Sequence, residues 1–278
     1  MYVFLIVVLA VLLVLFLLLY YLLKPIKPTN QQIQPFYHRN FAHRGLHTKN
    51  KRYPENSLSA FSQAVKQDYG IELDIQFSKD HQIVVFHDDT LDRVCGIHGR
   101  VDEYTYDELK TFQLCGQKEH IPLLSDVLAL VNGKVPLIVE LKTGRHNEKL
   151  CKAAYEMLNS YQGDYCIESF DPFIVKWFRI HAPHILRGQL SSPYSVLKKE
   201  LKPYEAFILG NCLSNVISRP NFIAYNKIRI PFTVKLAYAF GAMSVVWTVR
   251  PKNDIEFLES NHDAVIFEFY RPASRYHS

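Results

Sequence analysis

Residues 70–77 read Gly70-Ile71-Glu72-Leu73-Asp74-Ile75-Gln76-Phe77. Ile71 to Phe77 has strand composition, and side chains on a strand alternate between faces. Glu72 and Asp74 then share one face, and Ile71, Leu73 and Ile75 the other. An apolar face against helices and an acidic face towards a cavity is the arrangement of a barrel strand. The alternation recurs at Leu137 to Lys142, where Glu140 and Lys142 point one way and Val139 and Leu141 the other.

Three carboxylates, Glu72, Asp74 and Glu140, then converge. Two like charges about 5 Å apart repel by roughly 3 kcal/mol at an effective dielectric near 20. All three stay ionised only if a cation joins them; otherwise some take up protons. With no sulfur and few nitrogen ligands, the set suits Ca2+ or Mg2+ better than Zn2+. A salt-bridge network with Arg44 and Lys142 is the structural alternative.

Working outward, Ala42-His43-Arg44-Gly45 and Tyr53-Pro54-Glu55-Asn56-Ser57 precede the strand, and Val84-Val85-Phe86-His87-Asp88 follows it. His43 and His87 each end an apolar run. An unperturbed histidine titrates at about 6.5, so the pair suits a general base and a general acid, in an order the residues leave open. The other histidines, His47 among them, read as ordinary surface or core residues. Arg44 offers a planar fork of donors and Lys142 a point charge, both suited to phosphate. Glu55 reads as an orienting residue or a helix N-terminal acid, with Asn56 as the cap.

These residues resemble the glycerophosphodiester phosphodiesterase family. The matching pieces are His43-Arg44-Gly45, Pro54-Glu55-Asn56-Ser57 with Ala60-Phe61, Glu72-Leu73-Asp74, and His87-Asp88 with Leu91 and Arg93. Arg100-Val101, Tyr106-Asp107-Glu108-Leu109, Ile121-Pro122-Leu123, Glu140-Leu141-Lys142, Ser169-Phe170-Asp171-Pro172 and Trp247-Thr248-Val249 also fit. The match runs from about residue 40 to the C-terminus. It implies an α/β fold, a (β/α)8 TIM barrel, with a small insertion after the second strand at about residues 88–121. It implies catalysis by His43 and His87, phosphate contacts from Arg44 and Lys142, a divalent metal ion on the acids, and Trp247 lining the substrate pocket. The implied reaction cleaves glycerophosphodiesters to glycerol 3-phosphate and an alcohol. The chain departs from the pattern in places: Arg250 stands where Asn is common, and Ala264 and Phe267-Glu268 stand where the last strand commonly has Gly and a Thr-Asp pair. They place a change at the mouth of the barrel.

Residues 1–23 hold no charged side chain and no Gly or Pro. About 20 apolar residues span a bilayer core as a helix, and a signal peptide would need a basic start and a small-residue cleavage site. An uncleaved, single-pass anchor in the cell membrane is therefore expected. Lys24, Lys27 and Arg39 follow it, which places the catalytic domain in the cytoplasm. Residues 24–38 read as an extended linker and 39–278 as one barrel domain, close to the usual ~250 residues. The net charge of +5 is modest, and no basic run is dense enough for nucleic acid. Five scattered cysteines without a CxxC read as free thiols.

After the first strand (Arg39 to His43), helices are expected at Asn56–Gln67, Tyr104–Leu114, Leu123–Val131, Glu148–Tyr161, Pro172–Ile180, Ser195–Leu201, Phe232–Phe240 and Asn253–Glu259. Further strands are expected at Ile83–Phe86, Pro136–Leu141, Tyr165–Ser169, Ile185–Leu190, Ala206–Gly210, Ser244–Val249 and Ala264–Phe269. The stretch Cys212–Ile230 gives no clear pattern. Two other functions stay open: a lysophospholipase D acting on lysophospholipids at the membrane surface, and a non-catalytic barrel scaffold.

Overall fold

The chain winds strand after helix into a closed barrel. The computed structural model describes residues 1–276. Its strands are β1 (Arg39–Ala42), β2 (Gly70–Phe77), β3 (Ile83–Val85), β4 (Leu137–Leu141), β5 (Tyr165–Ser169), β6 (Arg187–Ser191), β7 (Phe222–Asn226), β8 (Met243–Val249) and β9 (Ala264–Phe267). Eight of them run parallel in the order β1-β9-β8-β7-β6-β5-β4-β2, and β1 pairs with β2 to close the ring. The remaining strand, β3, lies antiparallel on the end of β2 as a hairpin. This is a TIM barrel, and such barrels place their active sites at the C-terminal ends of the strands.

The alternation on β2 sets inside from outside. Ile71, Leu73 and Ile75 are fully buried against the helical layer, packed with Phe61, Leu124 and Val139. The opposite face points into the barrel. There the N-terminal ends of the strands supply an apolar floor from Phe41, Ile138, Cys166, Phe222 and Met243. Gly188 leaves the space that the Phe222 ring fills, since a Cβ would lie 2.0 Å from that ring. Higher up, neighbouring strands carry acids side by side: Asp74 pairs in register with Glu140, and Glu140 with Glu168.

Several expected elements differ. Ala206–Gly210 is not a strand but the end of a helix, Pro203–Gly210. Proline fits the first helical turn and Glu205 accepts from Lys202 N at 3.1 Å, so the segment starts as a helix. A short apolar run such as Ala206-Phe207-Ile208-Leu209 cannot be told from a strand by periodicity. The sixth barrel strand is instead β7, inside the stretch that gave no pattern. The insertion holds only short helical turns, Asp92–Cys95 and Tyr106–Leu109, rather than one helix over Tyr104–Leu114. The helix after β6 spans Tyr194–Leu197, shorter than Ser195–Leu201 implied.

The N-terminal helix Tyr2–Leu23 has 22 residues, about 33 Å at 1.5 Å per residue. By length and composition it could cross a membrane; a signal sequence passes the same test. Its last turn is held by the barrel. Leu23 is buried with Ile223 and Val234, Asn215 Nδ2 donates to Leu23 O at 3.2 Å, and Arg219 Nη1 donates to Tyr21 O at 2.6 Å. Residues 24–38 are not simply extended. Thr29 caps a helical turn at Asn30–Ile33, and Phe36 is buried on Phe41 at the barrel floor, with ring centroids 6.0 Å apart.

Candidate active site

β1 stops at Ala42 and the chain turns at once. Gly45 N donates to Ala42 O at 3.1 Å, with φ of 53° at Arg44 and 77° at Gly45. Gly45 is required there, because a Cβ would lie 2.9 Å from the Phe61 ring. The turn aims the Arg44 amide at Glu72 Oε2, 2.9 Å away. The Arg44 guanidinium donates to Glu55 Oε1 at 2.6 Å and lies 3.5 Å from Asp74 Oδ2. The loop before the next helix is tied to the same place: Asn56 N donates to Arg44 O at 2.9 Å, and Asn56 Nδ2 to Asp74 Oδ2 at 2.8 Å. Asn56 is therefore not the helix cap. Ser57 caps Leu58–Lys66 by accepting from Ala60 N.

Glu72, Asp74 and Glu140 each bring an oxygen within 4.8 Å of the other two, and all three are buried. Burial raises the Glu72 carboxyl well above its ordinary value, and Asp74, Glu140 and Glu168 push it further. Burial also raises Glu140, against the pull of Lys142. For Asp74 burial is outweighed by His87, Lys142 and Arg44, which hold it below the usual carboxylate range. The cluster thus has one firmly ionised carboxylate among neighbours that resist ionising. Lys142 Nζ lies 2.8 Å from Glu140 Oε1 and 3.6 Å from Asp74 Oδ1.

Glu168 is the acid the sequence reading missed. It is 1% exposed and raised by burial and by Glu140 and Asp74. The signal was present, since Cys166 and Glu168 on β5 alternate like the pairs on β2 and β4. Glu168 Oε2 and Asp74 Oδ1 are buried without a hydrogen-bond partner. An all-oxygen donor set with unmet buried oxygens fits a hard divalent cation.

His43 leaves the end of β1. Its Nδ1 lies 3.0 Å from Glu268 Oε2, and its Nε2 is 4.0 Å from Glu72 Oε2. Burial, with Arg44 nearby, lowers it to about 4, against the pull of Glu268. His47, read as an ordinary residue, is buried with Nε2 3.3 Å from the same Glu268 oxygen. His43, His47 and Glu268 could also hold a metal ion by distance alone. Arg250 already pairs with Glu268, while both ring nitrogens of His47 are buried without a hydrogen-bond partner. His87 follows the hairpin strand β3; its Nδ1 lies 2.6 Å from Asp88 Oδ1, and Arg93 Nε donates to Asp88 Oδ2 at 2.6 Å. Arg93 also bonds Glu55 through Nη1 and Nη2, at 2.8 and 2.7 Å. Arg93 and Arg44 together overcome burial and hold the Glu55 carboxyl at about 2.

One cavity of about 940 Å3 brings His43, Arg44, Glu72, His87, Glu140 and Lys142 onto a common wall. Asp74 and Glu55 lie behind that wall. Trp247 lines the same cavity, donating from Nε1 to Ala224 O at 3.0 Å and meeting Phe170 edge-on.

Residues 43–271 match the glycerophosphoryl diester phosphodiesterase family. The chain belongs to that family. A glycerophosphodiester phosphodiesterase of Caldanaerobacter subterraneus is 31% identical over 81% of this chain and 91% of its own. An Oleispira antarctica phosphodiesterase, solved with the product sn-glycerol-3-phosphate, superposes with a TM-score of 0.67 at 23% identity, covering 83% of this chain and 93% of its own. A glycerophosphodiester phosphodiesterase of Parabacteroides distasonis gives 0.63 at 26% identity, over 84% and 93%. The chain is thus a phosphoric diester hydrolase of the glycerophosphodiester phosphodiesterase class, built on a TIM barrel.

Proposed function

We propose that this chain cleaves glycerophosphodiesters to glycerol 3-phosphate and an alcohol, with a divalent ion, Ca2+ or Mg2+, held by Glu72, Asp74 and Glu140. One observation carries the reading: three buried carboxylates meet within 4.8 Å beside a buried imidazole. When bound, such an ion would withdraw charge from the phosphoryl oxygens and favour a nucleophilic hydroxyl. Arg44 and Lys142 would flank the phosphate and fix its position, each already anchored by a carboxylate. His43 is held neutral by burial, so its Nε2 can take a proton at neutral pH. His87, oriented by Asp88 and Arg93, would return a proton to the leaving oxygen. Trp247 would form the pocket wall and Glu55 would hold Arg44. The glycerol 3-phosphate complex of the Oleispira relative supports this product. The N-terminal helix would anchor the enzyme in a membrane, with the barrel on the cytoplasmic side by the positive-inside rule.

The test uses the full chain and glycerophosphocholine. Release of glycerol 3-phosphate should stop in excess EDTA and return with Ca2+ or Mg2+. His43→Ala and His87→Ala should each cost about 10²–10⁴-fold while the fold survives. Undiminished turnover in EDTA would remove the metal role, and parental rates in both variants would remove the histidines.

A further inference from the structure

β1, β9 and β8 end in one hydrogen-bonded row. Ala42 pairs with Phe267, and Phe267 with Val249. The ladder runs one residue further, because His43 N donates to Phe267 O and Glu268 N to Val249 O, each at 2.9 Å. His43, Glu268 and Arg250 are therefore the first residues past that row on three neighbouring strands, and the backbone holds them at one level. Their side chains meet there. His43 Nδ1 lies 3.0 Å from Glu268 Oε2, and Arg250 Nε donates to Glu268 Oε1. The turn that carries Arg250 is itself tied down, since Arg250 N donates to Asn253 Oδ1 at 2.7 Å.

Glu268 is 6% exposed. Burial alone would raise its carboxyl, but His43, His47 and Arg250 outweigh it and hold the group below the ordinary carboxylate range. An ionised carboxylate only accepts, so Nδ1 of a neutral His43 ring must bear the proton. Nε2 then keeps its lone pair, 4.0 Å from Glu72 Oε2, and His43 lines the cavity. The ring stands between two carboxylates, and the nearer one takes the N–H. The opposite tautomer would turn an N–H towards Glu72 and leave Nε2 unable to accept a proton. His47 does not compete for the contact. Its Nε2 is 3.3 Å from the same Glu268 oxygen but makes no hydrogen bond.

Resting on the function proposed above, we infer that Glu268 is a positioning residue for His43: it fixes the ring as the Nδ1–H tautomer, while Arg250 holds the other oxygen of the carboxylate. The proton leaving the attacking hydroxyl goes to Nε2. Glu268 takes no proton, and its negative charge offsets the imidazolium that forms. Arg250 and Glu268, both departures from the family pattern, thus act as one unit.

The test uses the full chain in detergent micelles with Ca2+ or Mg2+ present, and glycerophosphocholine as substrate. Glu268→Ala should lower kcat about 10–100-fold with KM nearly unchanged, the cost typical of losing a histidine's outer partner. Glu268→Gln keeps an acceptor oxygen, and Arg250, whose side chain is 55% exposed, can turn to water, so most of kcat should return. Arg250→Ala should fall between parent and Glu268→Ala. Nitrogen NMR of labelled histidine, with the His43 signals assigned by their loss in His43→Ala, reads the tautomer directly. It should find Nδ1–H in the parent, in Glu268→Gln and in Arg250→Ala, but not in Glu268→Ala. Parental kcat in Glu268→Ala, a change in KM alone, or an unchanged tautomer in that variant overturns the assignment. Glu268→Gln as slow as Glu268→Ala overturns it too, because charge rather than orientation would then carry the effect. A parent that hydrolyses no glycerophosphocholine defeats the phosphodiesterase reading instead, and the tautomer still decides the contact.

Discussion

Glu72→Gln removes one charge from the acidic cluster and keeps its shape. Two charges at 4.8 Å repel by about 3 kcal/mol at an effective dielectric of 20. Linkage sets a similar ceiling. A carboxyl of ordinary value 4.5 that is forced to stay protonated at neutral pH costs at most about 3 kcal/mol. Its folded pKa is raised, so the folded state holds the proton. The penalty is absent below the ordinary value and grows as pH rises towards the folded one. Gln retains an oxygen to accept from Arg44 N but carries no such penalty. The metal-stripped variant should therefore be more stable than the metal-stripped parent by about 2 kcal/mol, roughly 4–8 °C in Tm for a chain of this size. It should also lose turnover and most of the thermal shift that Ca2+ or Mg2+ gives the parent. The assay is thermal unfolding at neutral pH with EDTA and with each ion, beside turnover of glycerophosphocholine. A stripped variant less stable than the stripped parent, or one with the full ion-induced shift, would refute the reasoning.

Glu55→Gln should destabilise by about 2–3 kcal/mol at neutral pH, because Arg93 and Arg44 hold the carboxyl at about 2 against an ordinary 4.5. That stability is complete above the ordinary value and fades as pH falls through about 2, so denaturation curves of parent and variant should converge in acid; a constant gap counts against it. Gly45→Ala should cost roughly 1–3 kcal/mol, since the new Cβ meets Phe61 and Ala60 at a positive φ. It should also lower kcat by shifting the Arg44 amide off Glu72, and an alanine variant with parental melting and turnover would show that the turn is not constrained.

The alternation on β2 and β4 made the barrel and its acids legible, because a period of two on a buried strand admits only one inward face. The segment between β6 and β7 was not legible. Ala206-Phe207-Ile208-Leu209 is apolar on every side because part of it faces the cavity and part stands exposed, so no period survives. β7 itself, Phe222–Asn226, follows the left-handed Arg219 and was hidden among polar residues. His47 and Glu268 were invisible as a pair because they lie on opposite ends of the barrel sequence. Arg250 and Glu268, each seen only as a departure from the family pattern, form one ion pair in the fold.

The height of the acids explains why they crowd together. On β4 the inward residues change from Ile138 to Glu140, and on β5 from Cys166 to Glu168, with Ile138 and Cys166 in the apolar floor. Asp74, Glu140 and Glu168 are adjacent in one hydrogen-bonded register, so the backbone holds the three side chains side by side. Lys142 and Arg44 bring two positive charges to a group of four buried acids, Glu72 included. Protonation or a divalent ion must supply the rest. The proposed function takes the second course: a divalent cation would let the four acids stay ionised together.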